Sequence, residues 1–158
     1  NTLKNEYNGL GGNYEVLHHT EYIYELINNN RLTISGNLKG KKITYHDPCY
    51  LGRGNGVFSI PRKLLNIIGL ELIEMKRCKQ KGLCCGAGGS QMFKEPEKGV
   101  IDINLERSKE ALASDPQIIA TGCPFCNTMI SDGVKHFNQE GKVQVLDIAE
   151  AISQADDL

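Results

Sequence analysis

From residue 41 onward the chain alternates short β-rich segments with segments of helical pattern, and this alternation constrains the fold more than any other feature. Four segments have strand character, namely 41–47, 70–75, 117–122 and 143–148. Helical patterns lie between and after them, at 61–69, 99–114, 124–137 and 147–155. Such an alternation is typical of βαβ units. We therefore predict a Rossmann-like α/β fold with a small parallel sheet of about four strands and helices on both faces.

The first forty residues have a different pattern. Residues 16–28 predict a helix, with Thr20 as a plausible N-cap, and a turn-rich stretch connects it to the first strand. We expect residues 1–40 to form an N-terminal helix and connector. Residues 41–158 are expected to form the cysteine-rich unit of one compact body.

Composition excludes several functional classes. The 158 residues suit about one domain, and the 18 basic and 19 acidic residues give a net charge of −1, which argues against a nucleic-acid-binding surface. No apolar run approaches the roughly 18 residues of a membrane span, and the first residues lack the apolar stretch of a signal peptide. Without a secretory context, the six cysteines are expected to serve metal binding or redox chemistry rather than disulfide bonding.

The cysteines follow the predicted strands. Cys49 comes after the first strand, Cys78 after the second, and Cys123 and Cys126 after the third. In open α/β sheets, ligands bind beyond the carboxyl ends of the strands, so these side chains are expected to meet at one edge of the sheet. The remaining two, Cys84 and Cys85, lie in the glycine-rich loop 82–90.

The local chemistry of these cysteines favours a metal. Cys123 and Cys126 form a CxxC motif at a predicted helix N-terminus, where free amides favour the thiolate that binds soft metals. The adjacent pair Cys84 and Cys85 would repel as thiolates unless a cation lay between them. Iron–sulfur, zinc and metal-free dithiol sites all remain open on this reasoning. A nucleotide site is disfavoured, because loop 82–90 has neither the Lys-Ser/Thr of a P-loop nor the GxGxxG spacing.

The spacing of five cysteines resembles the cysteine-rich CCG domain of heterodisulfide reductases and of the glycolate oxidase iron–sulfur subunit family. Cys49 is followed after 34 residues by Cys84-Cys85-Gly86, and after 36 more by the CxxC motif that begins at Cys123. The neighbouring residues agree as well, in HDPCYLGR (46–53), PRKLL (61–65), LCCGAGG (83–89), ATGCPFC (120–126) and DIAE (147–150).

The resemblance implies an oxidoreductase domain or subunit that transfers electrons through a non-cubane [4Fe–4S] cluster, held by Cys49, Cys84, Cys85, Cys123 and Cys126. The electrons would pass to a disulfide or, in a relay subunit, from a flavoprotein toward a quinone or membrane cytochrome. Relatives usually carry a second CCG motif and a ferredoxin-like domain. We therefore expect a C-terminal CCG half of a longer protein, with such domains, a flavoprotein and a membrane cytochrome b as partners. A cytoplasmic location follows from the same resemblance, with attachment to the membrane through partners. A structural zinc domain is the alternative.

Further residues are candidates for positions around the five cysteines. His46 and Asp47 precede Cys49 and could hydrogen-bond a sulfur or fix a strand-end turn. The glycines of loop 82–90 would tune the cluster through backbone hydrogen bonds; they are Gly86, Gly88 and Gly89. Cys78 falls outside the family pattern and is expected to be a non-ligand thiol.

Overall fold

The structure is a computed structural model that describes residues 1–34, 38–95 and 98–156. The connector predicted before the first strand therefore lies partly outside the described residues. Strands β1 to β4 are all short, and their bounds are Lys42–Tyr45, Glu71–Leu72, Ile118–Thr121 and Gln144–Asp147. Every helix but the short α2 was predicted. Helices α1 to α6 have the bounds His19–Asn28, Gly52–Asn55, Ser59–Ile67, Ile103–Leu112, Pro124–His136 and Ile148–Asp156. Shorter helical turns are Thr2–Glu6, Tyr7–Leu10, Lys79–Lys81 and Gly88–Phe93.

The four strands form one parallel sheet in the order β2-β1-β3-β4. The predicted α/β class with a parallel sheet and flanking helices is confirmed. Because the chain leaves β1 toward β2 on one side and later returns to β3 on the other, the strand order switches between β1 and β3. In such a sheet the loops that follow the two strands diverge and leave a crevice at the carboxyl ends.

Helices cover both faces of the sheet. On one face α1, α3 and α6 pack against a core that includes Ile43, Tyr45 and Ile118. On the other face α4 and α5 pack against each other and against Ile119 of β3. All four residues of β3 are buried, as expected for a central strand with both faces covered.

Three local predictions are wrong. Thr20 is not the N-cap of α1, because the His18 side chain takes that place and accepts from the Thr20 amide, while Glu21 accepts from the His18 amide. The strand predicted at 70–75 is limited to Glu71–Leu72, which pair with Lys42 and Ile43 of β1. The helix predicted at 99–114 begins only at Ile103, so Ile101 lies before α4, and the buried residues of α4 are Arg107, Ser108 and Ala111.

Candidate metal centre

Cys49 reaches the crevice from the end of β1. The Ala120 carbonyl of β3 accepts from the His46 amide at 2.9 Å, so the β1–β3 pairing continues past the last strand residue of β1. The chain then turns at Pro48, whose carbonyl accepts from the Gly52 amide at the start of α2. Cys49 is left half-buried at this turn.

The CxxC motif reaches the same crevice from the end of β3. Cys123 is the N-cap of α5 and is half-buried, Pro124 occupies the first turn, and Cys126 is 2% exposed. Hydrogen bonding from Cys126, helped by the free amides of Phe125 and Cys126, lowers the pKa of the Cys123 thiol to about 6 despite its burial. A pKa of about 6 favours the thiolate of Cys123 at the start of α5.

The adjacent pair joins this group from loop 82–90. Cys85 is buried, and hydrogen bonding from Cys126, together with that from His46 and the Ala87 amide, lowers its pKa to about 4 against the effect of burial. Cys126, which lies between the Cys123 and Cys85 sulfurs, has a strongly raised pKa and retains its proton. The pKa of Cys49 is raised by burial and by the charges of Cys84 and Cys85.

All five predicted ligands therefore converge, and each interacts with at least one other. Burial and mutual repulsion disfavour two thiolates at Cys85 and Cys126 together, so Cys126 keeps its proton beside the Cys85 thiolate. A cation at this place would relieve the repulsion, and thiolate is a donor that both iron–sulfur clusters and zinc bind. The donor set therefore fits a soft metal group.

The glycine-rich loop shapes the backbone around the pair. Gly86 has a φ of +92°, and its amide donates to the Cys84 sulfur at 3.4 Å. A Cβ at Gly86 would lie 3.3 Å from the Ile103 side chain of α4. Gly88 and Gly89 are exposed, and an added Cβ at either would meet open space among the described residues.

His46 and Asp47 have separate environments. His46 is 1% exposed, hydrogen-bonds Cys85 and accepts from Arg107 through Nδ1. Burial lowers the pKa of His46, and the charge of Arg107 lowers it further, so the ring is neutral near pH 7. Asp47 is buried and pairs with Arg62 of α3.

Cys78 lies among charged groups rather than among the other cysteines. It is half-buried at the start of the turn Lys79–Lys81. Burial and the carboxylate of Glu74 raise the pKa of the Cys78 thiol. The charge of Arg62 lowers this pKa, and the charge of Asp47 raises it. This placement favours the prediction that Cys78 is not a ligand, which stays a prediction.

A cleft of about 280 Å³ opens beside the cysteines. Cys49, Cys123 and Cys126 line its floor, and His18 and Glu21 from the start of α1 line its wall. His18 Nε2 donates to the Gly122 carbonyl at 3.0 Å, immediately before Cys123. The start of helix α1 therefore borders the cleft that leads to Cys49, Cys123 and Cys126.

Sequence reasoning missed two residues at this centre. His18 fixes the backbone before Cys123, and Arg107 reaches His46 from the buried side of α4. Neither residue had a local signal in the sequence, because their partners lie 104 and 61 residues away.

Residues 43–131 match the family model described as CCG, cysteine-rich domain. The chain belongs to the CCG cysteine-rich domain family. This match covers more than half of the chain and includes all five predicted ligands, and it confirms the resemblance stated from the sequence.

Curated relatives of this CCG domain are redox proteins by name. The chain is 46% identical over 97% of its length to the EtfAB:quinone oxidoreductase of Syntrophomonas wolfei subsp. wolfei, and 45% identical over 98% to "Probable iron-sulfur-binding oxidoreductase FadF" of Bacillus subtilis. It is 38% identical over 90% to a subunit of the dihydromethanophenazine:CoB–CoM heterodisulfide reductase of Methanosarcina barkeri. The chain spans 22%, 22% and 34% of these relatives, respectively. Among the described residues, no helix has the length and apolar character needed to cross a membrane.

Proposed function

We propose that this CCG domain holds a non-cubane [4Fe–4S] cluster and passes electrons through it. The observation that carries the proposal is the convergence of five thiols at the crevice between β1 and β3; they are Cys49, Cys84, Cys85, Cys123 and Cys126. When bound, such a cluster supplies one-electron oxidation and reduction.

The chain's own groups would set the properties of the site. The Gly86 amide donates to the Cys84 sulfur, and His46 hydrogen-bonds Cys85. Hydrogen bonds to ligand sulfurs withdraw charge from them and so favour the reduced state. The burial of Cys85 and Cys126 limits water on this side, whereas the cleft leaves Cys49 and Cys123 accessible.

Two electron acceptors have support. The cleft beside Cys49, Cys123 and Cys126 is a place where a disulfide substrate could approach, and the similarity to a heterodisulfide reductase favours that acceptor. The higher identity to an EtfAB:quinone oxidoreductase favours a relay between a flavoprotein and a quinone or membrane cytochrome. Oxidation of the reduced chain alone by a small alkyl disulfide would support the first acceptor. Re-oxidation only by quinone through added redox proteins would support the second.

We further propose that residues 41–158 form the cysteine-rich domain and that residues 1–40 pack on it, the whole being part of a longer redox protein. The proposed partners are a second CCG domain, a ferredoxin-like domain, a flavoprotein and a membrane cytochrome b. The proposed location is cytoplasmic, with membrane attachment through those partners.

Single Cys→Ser variants test the ligand set. After anaerobic reconstitution, iron content and the electron paramagnetic resonance spectrum are measured for all six variants. Variants at the five proposed ligands should lose the parent spectrum, whereas the matched control Cys78→Ser should retain it with unchanged iron. A parent-like spectrum in Cys85→Ser, or loss of iron in Cys78→Ser, would overturn the assignment.

A further inference from the structure

Arg107 is a charged residue in the interior of the domain. Its side chain is 0% exposed, and its Nε donates to His46 Nδ1 at 2.9 Å. Its Nη1 donates to the Arg77 carbonyl at 2.8 Å and lies 3.4 Å from Glu110 Oε2, while Nη2 is buried with no hydrogen-bond partner in the described part of the chain. Burying a guanidinium with one nitrogen unsatisfied is costly, and the contacts with His46, Arg77 and Glu110 must offset that cost.

The contact with His46 fixes the position of the imidazole proton. A guanidinium only donates hydrogen bonds and stays protonated in proteins. His46 Nδ1 must therefore be the unprotonated nitrogen that accepts from Arg107. In a neutral ring the proton then lies on Nε2, and the hydrogen bond between His46 and Cys85 is an N–H to sulfur bond.

This tautomer removes His46 from metal coordination. A ring nitrogen of His46 lies with the Cys85 and Cys126 sulfurs in a group whose ligand atoms are all within 4.8 Å of one another. By residue type, this group is the beginning of an ordinary zinc site of histidine and cysteine ligands. A neutral histidine binds metal through its unprotonated nitrogen, however, and Arg107 occupies that nitrogen.

We propose that Arg107 is a positioning residue that excludes His46 from the ligand set and turns it into a hydrogen-bond donor to the Cys85 sulfur. The site then presents thiolates alone, which is the donor set of the proposed five-cysteine cluster. This role matters only if the proposed function is correct. The contacts that support it involve only Arg107, His46 and Cys85, and the tests below use no iron.

The first test reads the tautomer in the full chain, metal-free and zinc-loaded. The protein is labelled with ¹⁵N-histidine, and the His46 signals are assigned by their loss in His46→Gln, which is practical with four histidines. Nitrogen shifts should show unprotonated Nδ1 and protonated Nε2 in both samples. An Nδ1–H ring, an imidazolium or a zinc-bound nitrogen at His46 would overturn the proposal, and this test needs no substitution at Arg107.

The second test asks whether Arg107 causes the exclusion. In the Cys49→Ser, Cys123→Ser background, three proposed ligand thiols remain, so zinc has a place for a fourth ligand. X-ray absorption at the zinc edge counts its imidazole ligands. We expect zinc to have no imidazole ligand in this background and one imidazole ligand after Arg107→Met is added. That imidazole ligand should be lost when His46→Gln is added as well. The matched control is Lys109→Met, which removes an exposed cation from the same helix and should add no imidazole.

The outcomes separate the two proposals. An imidazole already bound in the background, or none after Arg107→Met, would overturn the role of Arg107 even if the native chain binds iron and sulfide. Failure of the native chain to take up iron would overturn the proposed function, whereas the zinc result would still decide the role of Arg107. If Arg107→Met fails to fold, the histidine tautomer of the native chain decides alone.

Discussion

Arg62 and Asp47 form a buried bidentate ion pair that joins helix α3 to the strand end carrying Cys49. Arg62 Nη1 donates to Asp47 Oδ1 at 2.7 Å, and Nη2 donates to Oδ2 at 2.9 Å. Asp47 Oδ2 also accepts from the Lys79 amide at 2.7 Å. One carboxylate thus ties the turn before Cys49 to α3 and to the segment that leads into loop 82–90.

Removing this carboxylate should strongly destabilise the domain. Asp47→Ala leaves a buried guanidinium without its buried partner, and breaking such pairs costs about 3–5 kcal/mol. Urea denaturation of the metal-free chain measures the loss. The matched control is Glu74→Gln at the other side of Arg62, where the carboxylate is 33% exposed and a smaller loss is expected. Equal losses in the two variants would contradict the dominant role of Asp47.

Glu110 should contribute stability that depends on pH. Burial raises its pKa, but hydrogen bonds from the amide and side chain of Arg77, and the charge of Arg107, outweigh burial and lower the pKa below its ordinary value. A lowered pKa in the folded state stabilises the protein above the unfolded-state pKa, and this contribution is lost as the pH falls through the folded-state pKa. Glu110→Gln should therefore be less stable than the parent by about 1–3 kcal/mol at pH 7.

The difference in the free energy of unfolding between Glu110→Gln and the parent should shrink below about pH 4.3, which is the ordinary pKa of a glutamate side chain. Denaturation curves from pH 3 to pH 7 measure it. Glu106→Gln is the matched control, since Glu106 also pairs with Arg77 but is 41% exposed, and its loss should stay below about 1 kcal/mol. A Glu110→Gln difference that is constant over the whole pH range would argue against this account.

Gly86 should not tolerate a side chain. At a φ of +92° an L-residue is strained by about 1–2 kcal/mol, and the added Cβ presses on Ile103 and on the Asn104 amide. Gly86→Ala should lower both the free energy of unfolding and the iron retained after reconstitution. Gly88→Ala, two residues away in open space, should change neither. Parent-like iron content in Gly86→Ala would show that the geometry of loop 82–90 is not required.

His18 should protect Cys123. His18 Nδ1 accepts from Thr20, so Nε2 carries the proton donated to the Gly122 carbonyl. His18→Ala removes this bond and the cap of α1, which should loosen the wall of the cleft. Alkylation of Cys123 by iodoacetamide in the metal-free chain, followed by mass spectrometry, should become severalfold faster than in the parent. His136→Ala, at the far end of α5, should leave the rate unchanged.

The sequence predicted most of the scaffold because its signals are local. Each strand carries β-rich residues, and a parallel sheet follows from the helices between the strands. The meeting of Cys49 and Cys123 was predicted because parallel strands end at the same edge. The strand order, which places both cysteines where the order switches between β1 and β3, was not predicted, because strand order depends on tertiary packing.

The surroundings of the cysteines were less accessible from the sequence. Arg107 and His46 are 61 residues apart, and no local pattern pairs them. Residue type alone does not predict burial in the segment 99–114, since Ile101 is exposed and Arg107 is buried. The pairing of a buried charge with a ring nitrogen outweighed hydrophobic periodicity at this position.

Iron, acid-labile sulfide and zinc content of the chain purified without oxygen, read with the visible absorption spectrum, tests the central claim most directly. Five converging thiols predict four irons and four sulfides per chain, no stoichiometric zinc, and a broad charge-transfer absorption that bleaches on reduction. One zinc per chain with no sulfide, or no metal after anaerobic reconstitution, would contradict the account.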